Sequence, residues 1–346
     1  MTECSVTPFI LPLGSPFRSA EMDITERRGF VVTIETAEGV GYGEATPLMG
    51  WSEDYDRCEQ ALMNWAHRSV DHPGQIVLPE LRAARHGVLL ATMDVAARVE
   101  AVPLATYLAG DADSHRSVPV HVTLGNEGAD NTVRAARQAI AEGYKAIKCK
   151  VGGRDIDREV DRLTALREAV GDEFDLHLDA NRAWTPDEVV SIWPSLEVLD
   201  ISYVEEPLRE PTPEKFAAID RESVGIGIDE TVIARRNSLN AWYPHVDVVV
   251  LKPMALGGID YALDLAIEAI RRDISPVVSG TVDGVVARTA GFHLAAALPT
   301  RMPAGLATGS LLEDDLSADP IPIEDGVATL PSRPGLGIRS IEVSIT

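Results

Sequence analysis

Residues 144–152 read YKAIKCKVG and hold three lysines, Lys145, Lys148 and Lys150, in a chain with only two more, Lys215 and Lys252. Arginine supplies the rest of the 31 basic residues. Charged and apolar side chains alternate across the stretch, which is the period of a β-strand. Lys148 and Lys150 then share one face while Cys149 points to the other. If the lysines face a barrel interior, Cys149 packs against helices as a small core residue and is not a nucleophile.

The unit this strand belongs to recurs along the chain. Short β-branched runs appear at VPVHVTLG (118–125), AIKCKVG (146–152), DLHLDANR (175–182), ISYVEEP (201–207), VGIGIDE (224–230), VDVVVLKP (246–253), ISPVVSG (274–280) and AGLATG (304–309). Segments of helical spacing lie between them, such as NTVRAARQAIAEG, DIDREVDRLTALREAV and YALDLAIEAIRR. Strand and helix in alternation indicate parallel βαβ units, and eight strands in series favour a closed barrel over an open sheet. The fold class expected is α/β. Residues 1–115 differ: RGFVVTIETAEGVGYGEATPL reads as two strands around a Gly-containing turn, followed by helical stretches at 54–68 and 80–98. The expected organisation is an α+β cap over 1–115, the barrel over 116–318, and a strand-like tail over 319–346 that returns to the cap. Gly39, Gly41 and Gly43 make G-x-G-x-G, but Glu44 and Thr46 break the dinucleotide-binding pattern, so a hairpin turn is expected there.

Composition narrows the function classes. With 346 residues, 45% hydrophobic and only 5% aromatic, the chain can build a sizeable core of Val, Ile, Leu and Ala. No apolar run approaches the ~18 residues that span a bilayer, and the first residues lack the charged region of a signal peptide, so a cytoplasmic protein is expected. A formal charge of −23 argues against nucleic-acid and anionic-membrane partners. Many acids with few lysines suggest a salt-rich host cytoplasm, where the repulsion is screened. Cys4, Cys58 and Cys149 are odd in number and show no C-x-x-C spacing, so neither disulfides nor a zinc site is indicated. Oligomeric state, including a homo-oligomer, stays open.

Polar groups at the C-terminal ends of barrel strands face the mouth where ligands bind. Those ends carry Lys148 and Lys150, then Asp179 and Asn181, then Glu205, then Asp229, then Lys252. His177 shares a face with Asp179 and is expected deeper in the barrel as a hydrogen-bonded histidine. Three converging carboxylates, Asp179, Glu205 and Asp229, need a counter-charge, and hard oxygen ligands suit Mg²⁺, or Mn²⁺ as its substitute. A lysine beside a divalent cation and a second lysine has its pKa lowered and can act as a base near neutral pH. A cation there can hold a substrate carboxylate and stabilise an enediolate. One charged residue alone is usually a solvated ion-pair partner, the expectation for Lys145 and Lys215. Six charges at the ends of five successive strands are not explained that way.

The motifs KCK, DAN, EEP, DE and LKP, in this order and spacing, resemble those of the enolase superfamily in its muconate-lactonising-enzyme-like subgroup. Lysine bases beside Mg²⁺ are the established chemistry of that superfamily. The resemblance covers nearly the whole chain and implies a (β/α)7β TIM-like barrel under an α+β cap. It implies Asp179, Glu205 and Asp229 as metal ligands and Lys148, Lys150 and Lys252 on the reacting face. Three stretches are similar to the o-succinylbenzoate synthases: GYGEATPLMGWSEDY (with Met49 where those enzymes have proline), LKPMALGG, and VSGTVDGVVARTAGFHLAAALP with AGLATGSLLEDDL. The implied substrate is a small-molecule carboxylate. The implied reaction is a lyase's syn-elimination of water from 2-succinyl-6-hydroxy-2,4-cyclohexadiene-1-carboxylate, in menaquinone synthesis. Lys150 would take the α-proton, Lys252 would stabilise the enediolate, and Lys148 would tune Lys150 and contact the carboxylate. Ser279, Gly280, Thr281, Gly305 and Asn181 are the expected substrate contacts, and LPLGSPFR (11–18) is either a lid from the cap or a plain connection. The subgroup also contains cycloisomerases, N-acylamino-acid racemases and dipeptide epimerases. The D-x-D by which the epimerases hold an ammonium is not seen at the eighth strand. From another class, a non-catalytic metal- or ligand-binding barrel is the alternative, and it has no need of two desolvated lysines.

Overall fold

The N-terminal strands pair with one another in chain order. In a computed structural model that describes residues 3–18, 23–71, 76–110, 113–235, 239–300 and 302–343, β1 (Glu3–Arg18), β2 (Asp23–Glu35) and β3 (Val40–Ala45) form an antiparallel sheet in that order. LPLGSPFR is the far end of β1 rather than a connection: Leu11 and Pro12 pair with Arg27 and Glu26, and Phe17 and Arg18 with Ile24 and Asp23 after a register shift. Proline is tolerated because β1 is an edge strand. Then come α1 (Tyr55–Asp71), α2 (Arg82–Val99) and α3 (Leu104–Ala109). The hairpin turn falls at Gly39, as expected, with Thr36 N donating to the Gly39 carbonyl. Gly41 and Gly43 have a different role: they let α2 lie directly on β3, since a Cβ on Gly43 would stand 1.9 Å from the Gly87 carbonyl oxygen.

The strand–helix alternation then follows in order. It comprises β4 (Ser117–Pro119), β5 (Val122–Leu124), α4 (Ala129–Ala141), β6 (Ala146–Lys150), α5 (Ile156–Val170), β7 (Asp175–Asp179), α6 (Pro186–Val198) and β8 (Tyr203–Glu205). It continues with α7 (Pro213–Ala217), β9 (Gly225–Ile228), α8 (Glu230–Arg235), β10 (Val248–Leu251), α9 (Pro253–Leu256), α10 (Ile259–Ile270), β11 (Ser275–Val278) and α11 (Val285–Ala297), before β12 (Ile323–Glu324) and β13 (Val327–Thr329). Strands β5 to β11 form one parallel sheet in sequence order. Two expected strands differ. VPVHVTLG is split, because β4 leaves the barrel to pair antiparallel with β13. The eighth strand is reduced to Ala304 and Gly305, which bridge Val120 and Ser279 and so close the sheet into a barrel. Only glycine fits that seam, since a Cβ on Gly305 would lie 2.6 Å from Ser279 Oγ and 3.0 Å from His121 Nε2.

Parity sorts the side chains. Ile147, Cys149, Leu176, Leu178, Val204, Ile226 and Ile228 point outward into the main core shared with the helices, each burial stabilising by about 1.5–3 kcal/mol for the larger ones. Tyr203, Val248, Val250 and Val277 form a separate cluster inside the barrel. His177 stacks on Tyr203 with ring centroids 4.7 Å apart and places Nε2 3.1 Å from His121 Nδ1. The tail also runs over α2, where Leu336 N donates to Asp94 and Arg98 donates to the Ile338 carbonyl. Among the described residues no helix is long and apolar enough to cross a membrane.

Candidate active site at the barrel mouth

Each barrel strand delivers its last inward residue to the same rim. In register, Lys150 pairs with Asp179 and Asp179 with Glu205. Asp229 and Lys252 follow directly after β9 and β10. Lys148 Nζ sits between two carboxylates, 3.0 Å from Asp179 Oδ2 and 2.8 Å from Glu205 Oε1. Lys150 Nζ lies 3.3 Å from Asp179 Oδ2 and donates to Asn181 Oδ1 at 2.6 Å. Lys252 is ion-paired with Asp229. The strands carrying lysine, β6 and β10, thus flank the three strands that carry the carboxylates.

Burial makes these charges strongly interdependent. It works against ionisation of Asp179, yet Lys148 and Lys150 hold that carboxyl well below the usual range. Asp229 goes the opposite way: burial raises it well above the usual range, Glu205 and Glu230 add to this, and Lys252 opposes it. The pKa of Lys148 is set by the same carboxylates. Burial lowers it, but Asp179, Glu205 and Asp229 outweigh burial and hold it well above the ordinary value.

The remaining predicted residues separate. Lys145 is exposed and Lys215 is half-buried on α7, donating to the Glu210 carbonyl. Cys149 is fully buried with Arg162 Nη1 3.2 Å from its sulfur, and burial raises its thiol. Ser279 donates to the Gly305 carbonyl, and Ser279 N donates to the Leu251 carbonyl beside Lys252. Thr281 is drawn inward: its hydroxyl donates to Asp283 Oδ1 at 2.6 Å, so its hydrogen is already used within the loop. A Cβ on Gly280 would lie 3.1 Å from Asp283 Oδ2. Ser279, Gly280 and Thr281 form the rim at β11, with Gly305 bridged to Ser279 beside them.

Residues 131–342 match the enolase C-terminal domain-like family. The chain belongs to the enolase superfamily. The o-succinylbenzoate synthase of Thermobifida fusca is 35% identical over 233 residues, 66% of this chain and 68% of that protein. The L-Ala-D/L-Glu epimerase of Bacillus subtilis is 26% identical over 345 residues, 95% of this chain and 93% of that one. In fold, the chain matches the dipeptide epimerase of Enterococcus faecalis, solved with Mg and the dipeptide L-Leu-L-Tyr, at a TM-score of 0.83 and 26% identity over 97% of this chain and 98% of that one.

The rim residues fit the divalent cation of this superfamily by donor chemistry. Asp179, Glu205 and Asp229 offer hard carboxylate oxygens, and Asp229 Oδ1 is buried without a hydrogen-bond partner. Among the described residues no three such groups already stand together as a cation cage, because lysine ammonium groups lie between the carboxylates. Sequence reasoning missed the supports around these rim residues. Glu206 faces away from the mouth and accepts from Asp229 N and Thr231 N, which fixes the turn bearing Asp229. Glu230 receives Asn181 Nδ2. Arg27, on β2, donates to the carbonyls of Thr46 and Val282, tying cap to barrel rim. Doubled acids in EEP and DE were visible signals for the first two. Nothing in sequence points to Arg27.

Proposed function

We propose that this superfamily member is an o-succinylbenzoate synthase that eliminates water from 2-succinyl-6-hydroxy-2,4-cyclohexadiene-1-carboxylate. What supports this reading is the 35% identity to the Thermobifida fusca synthase over 66% of this chain, beside 26% to the Bacillus subtilis epimerase over 95% of it. Asp315 and Asp319, acids beyond Gly305, are both held by Arg288, so neither stands ready for a substrate ammonium. When bound, Mg²⁺, with Mn²⁺ as a substitute, would be held by Asp179, Glu205 and Asp229 and supplies positive charge beside the substrate carboxylate. Lys150 in its amine form takes the α-proton, oriented by Asn181. The C–H electrons pass into the carboxylate as an enediolate; their return forms the new ring double bond as the C–OH bond breaks, and Lys150 gives the proton to the departing hydroxyl, releasing water. Lys252 and Lys148 face the substrate carboxylate and stabilise the negative charge that develops on it. We read residues 1–115 as the cap, 116–318 as the barrel and 319–346 as the return. Ser279 and Gly305 are then the rim at the succinyl arm.

Lysines on both flanks of the carboxylates also suit two-base racemisation or epimerisation, which is the second reading. Incubation with Mg²⁺ and the cyclohexadiene acid, followed by ultraviolet absorbance of the aromatic product, tests the first. Product formation is expected. Racemised N-acyl amino acids with no aromatic product would sink the synthase reading.

A further inference from the structure

The loop between β3 and α1 is fixed at several points. Leu48 packs with Leu13, Ile24 and Val282, and the Leu48 carbonyl accepts from Trp51 N at 3.0 Å. Glu53, only 7% exposed, accepts from Ala83 N and Ala84 N at the start of α2. Arg82 donates to the Trp51 carbonyl at 3.2 Å. This frame brings the Trp51 ring to Lys252, whose Nζ lies 3.7 Å from the ring centroid. The two flanking lysines are therefore held differently. Lys150 has two oxygen partners, Asp179 and Asn181, while Lys252 has the Asp229 carboxylate and an aromatic face. An indole face attracts an ammonium through its quadrupole, more strongly where water is excluded, and Lys252 is only 8% exposed.

We propose that Trp51 is the positioning residue for Lys252: the cap's indole holds the ammonium at the barrel mouth, on the flank opposite Lys150. The ring blocks Lys252 from swinging toward the cap and leaves its hydrogens not taken by Asp229 to meet the bound molecule. The two lysines are thereby made unequal, one set by polar partners within the barrel and one by a side chain from outside it. This rests on the role given to Lys252 above, but the contact itself can be measured without turnover.

The chain has only five lysines, so lysine labelled with ¹³C at Cε gives five resolvable signals. One is expected to be displaced upfield by the indole ring current. Lys252→Ala removes that signal, and Trp51→Leu returns it to the range of the others while those stay in place. On the cyclohexadiene acid, Trp51→Leu lowers kcat roughly tenfold with KM within about twofold, and Trp51→Phe recovers most of the loss. No displaced signal, or Trp51→Leu turning over like the parent, overturns the inference. A parent with the displaced signal but no turnover supports the Trp51–Lys252 contact and overturns the synthase reading instead.

Discussion

Lys150 and Arg162 are neighbours, the Lys150 carbonyl accepting from Arg162 Nη2 at 2.8 Å, yet their chemistry differs. A guanidinium keeps its proton at any physiological pH, whereas an amine can take one and return it. Lys150→Arg and Lys150→Ala are both expected to lose turnover by on the order of a thousandfold. Mg²⁺ binding, followed by calorimetry, should survive in Lys150→Ala, and unchanged turnover would contradict the base assignment. A second residue-scale prediction concerns Glu44, which accepts from Gly284 N and Ala287 N at the start of α11. Burial, then Asp283, raises its carboxyl from 4.5 to about 7. Between those values the unfolded chain has lost the proton and the folded one keeps it, so stability falls as pH rises. Glu44→Gln has no such loss. Its Tm should gain about 2–5 °C on the parent's between pH 4.5 and 7, measured by calorimetry. A Tm difference flat across that range would show that Glu44 is not the group responsible.

At the scale of elements, close approach matters more than propensity. The α2 backbone rests on β3 because Gly41 and Gly43 face it, and α2 in turn receives Glu53 and the loop bearing Trp51. Gly43→Ala is expected to push the helix off the strand and cost about 2–3 kcal/mol, read from the urea midpoint. An unshifted midpoint would mean that the helix yields without loss. The same glycines were visible in sequence as G-x-G-x-G, and the hairpin was legible from them. Their packing role was not, because the partner, Gly87, belongs to a helix 44 residues on from Gly43. The split of VPVHVTLG into β4 and β5 was hidden for a similar reason: β4 is removed from the barrel by pairing with β13, more than 200 residues later.

The whole molecule carries a formal charge of −23, and most of that charge is solvated. Self-repulsion among exposed acids is screened by salt, while the buried pairs at the barrel mouth are screened far less. The Tm is therefore expected to rise with NaCl from about 0.05 M to about 1 M, by several degrees. A Tm that is flat or falls over that range would remove the argument for a salt-rich setting. The cap and barrel should melt together, because Glu44 on β3 grips the start of α11 and Arg27 on β2 grips the Val282 carbonyl.

The sequence by itself determined the repeating strand–helix order and, through side-chain parity, which charges reach the mouth. Lys148, Lys150, Asp179, Glu205, Asp229 and Lys252 were legible because alternation along a strand is a local property, and each barrel strand ends at the same rim. Cys149 and His177 were assigned correctly on the same ground. Only the tertiary structure decided which charge answers which: Lys148 locked between Asp179 and Glu205, Asp229 raised against Lys252, Thr281 turned in toward Asp283. It also decided that Trp51 from the cap covers Lys252. Contacts between distant segments depend on how sheets and helices pack in three dimensions, and no local period records them.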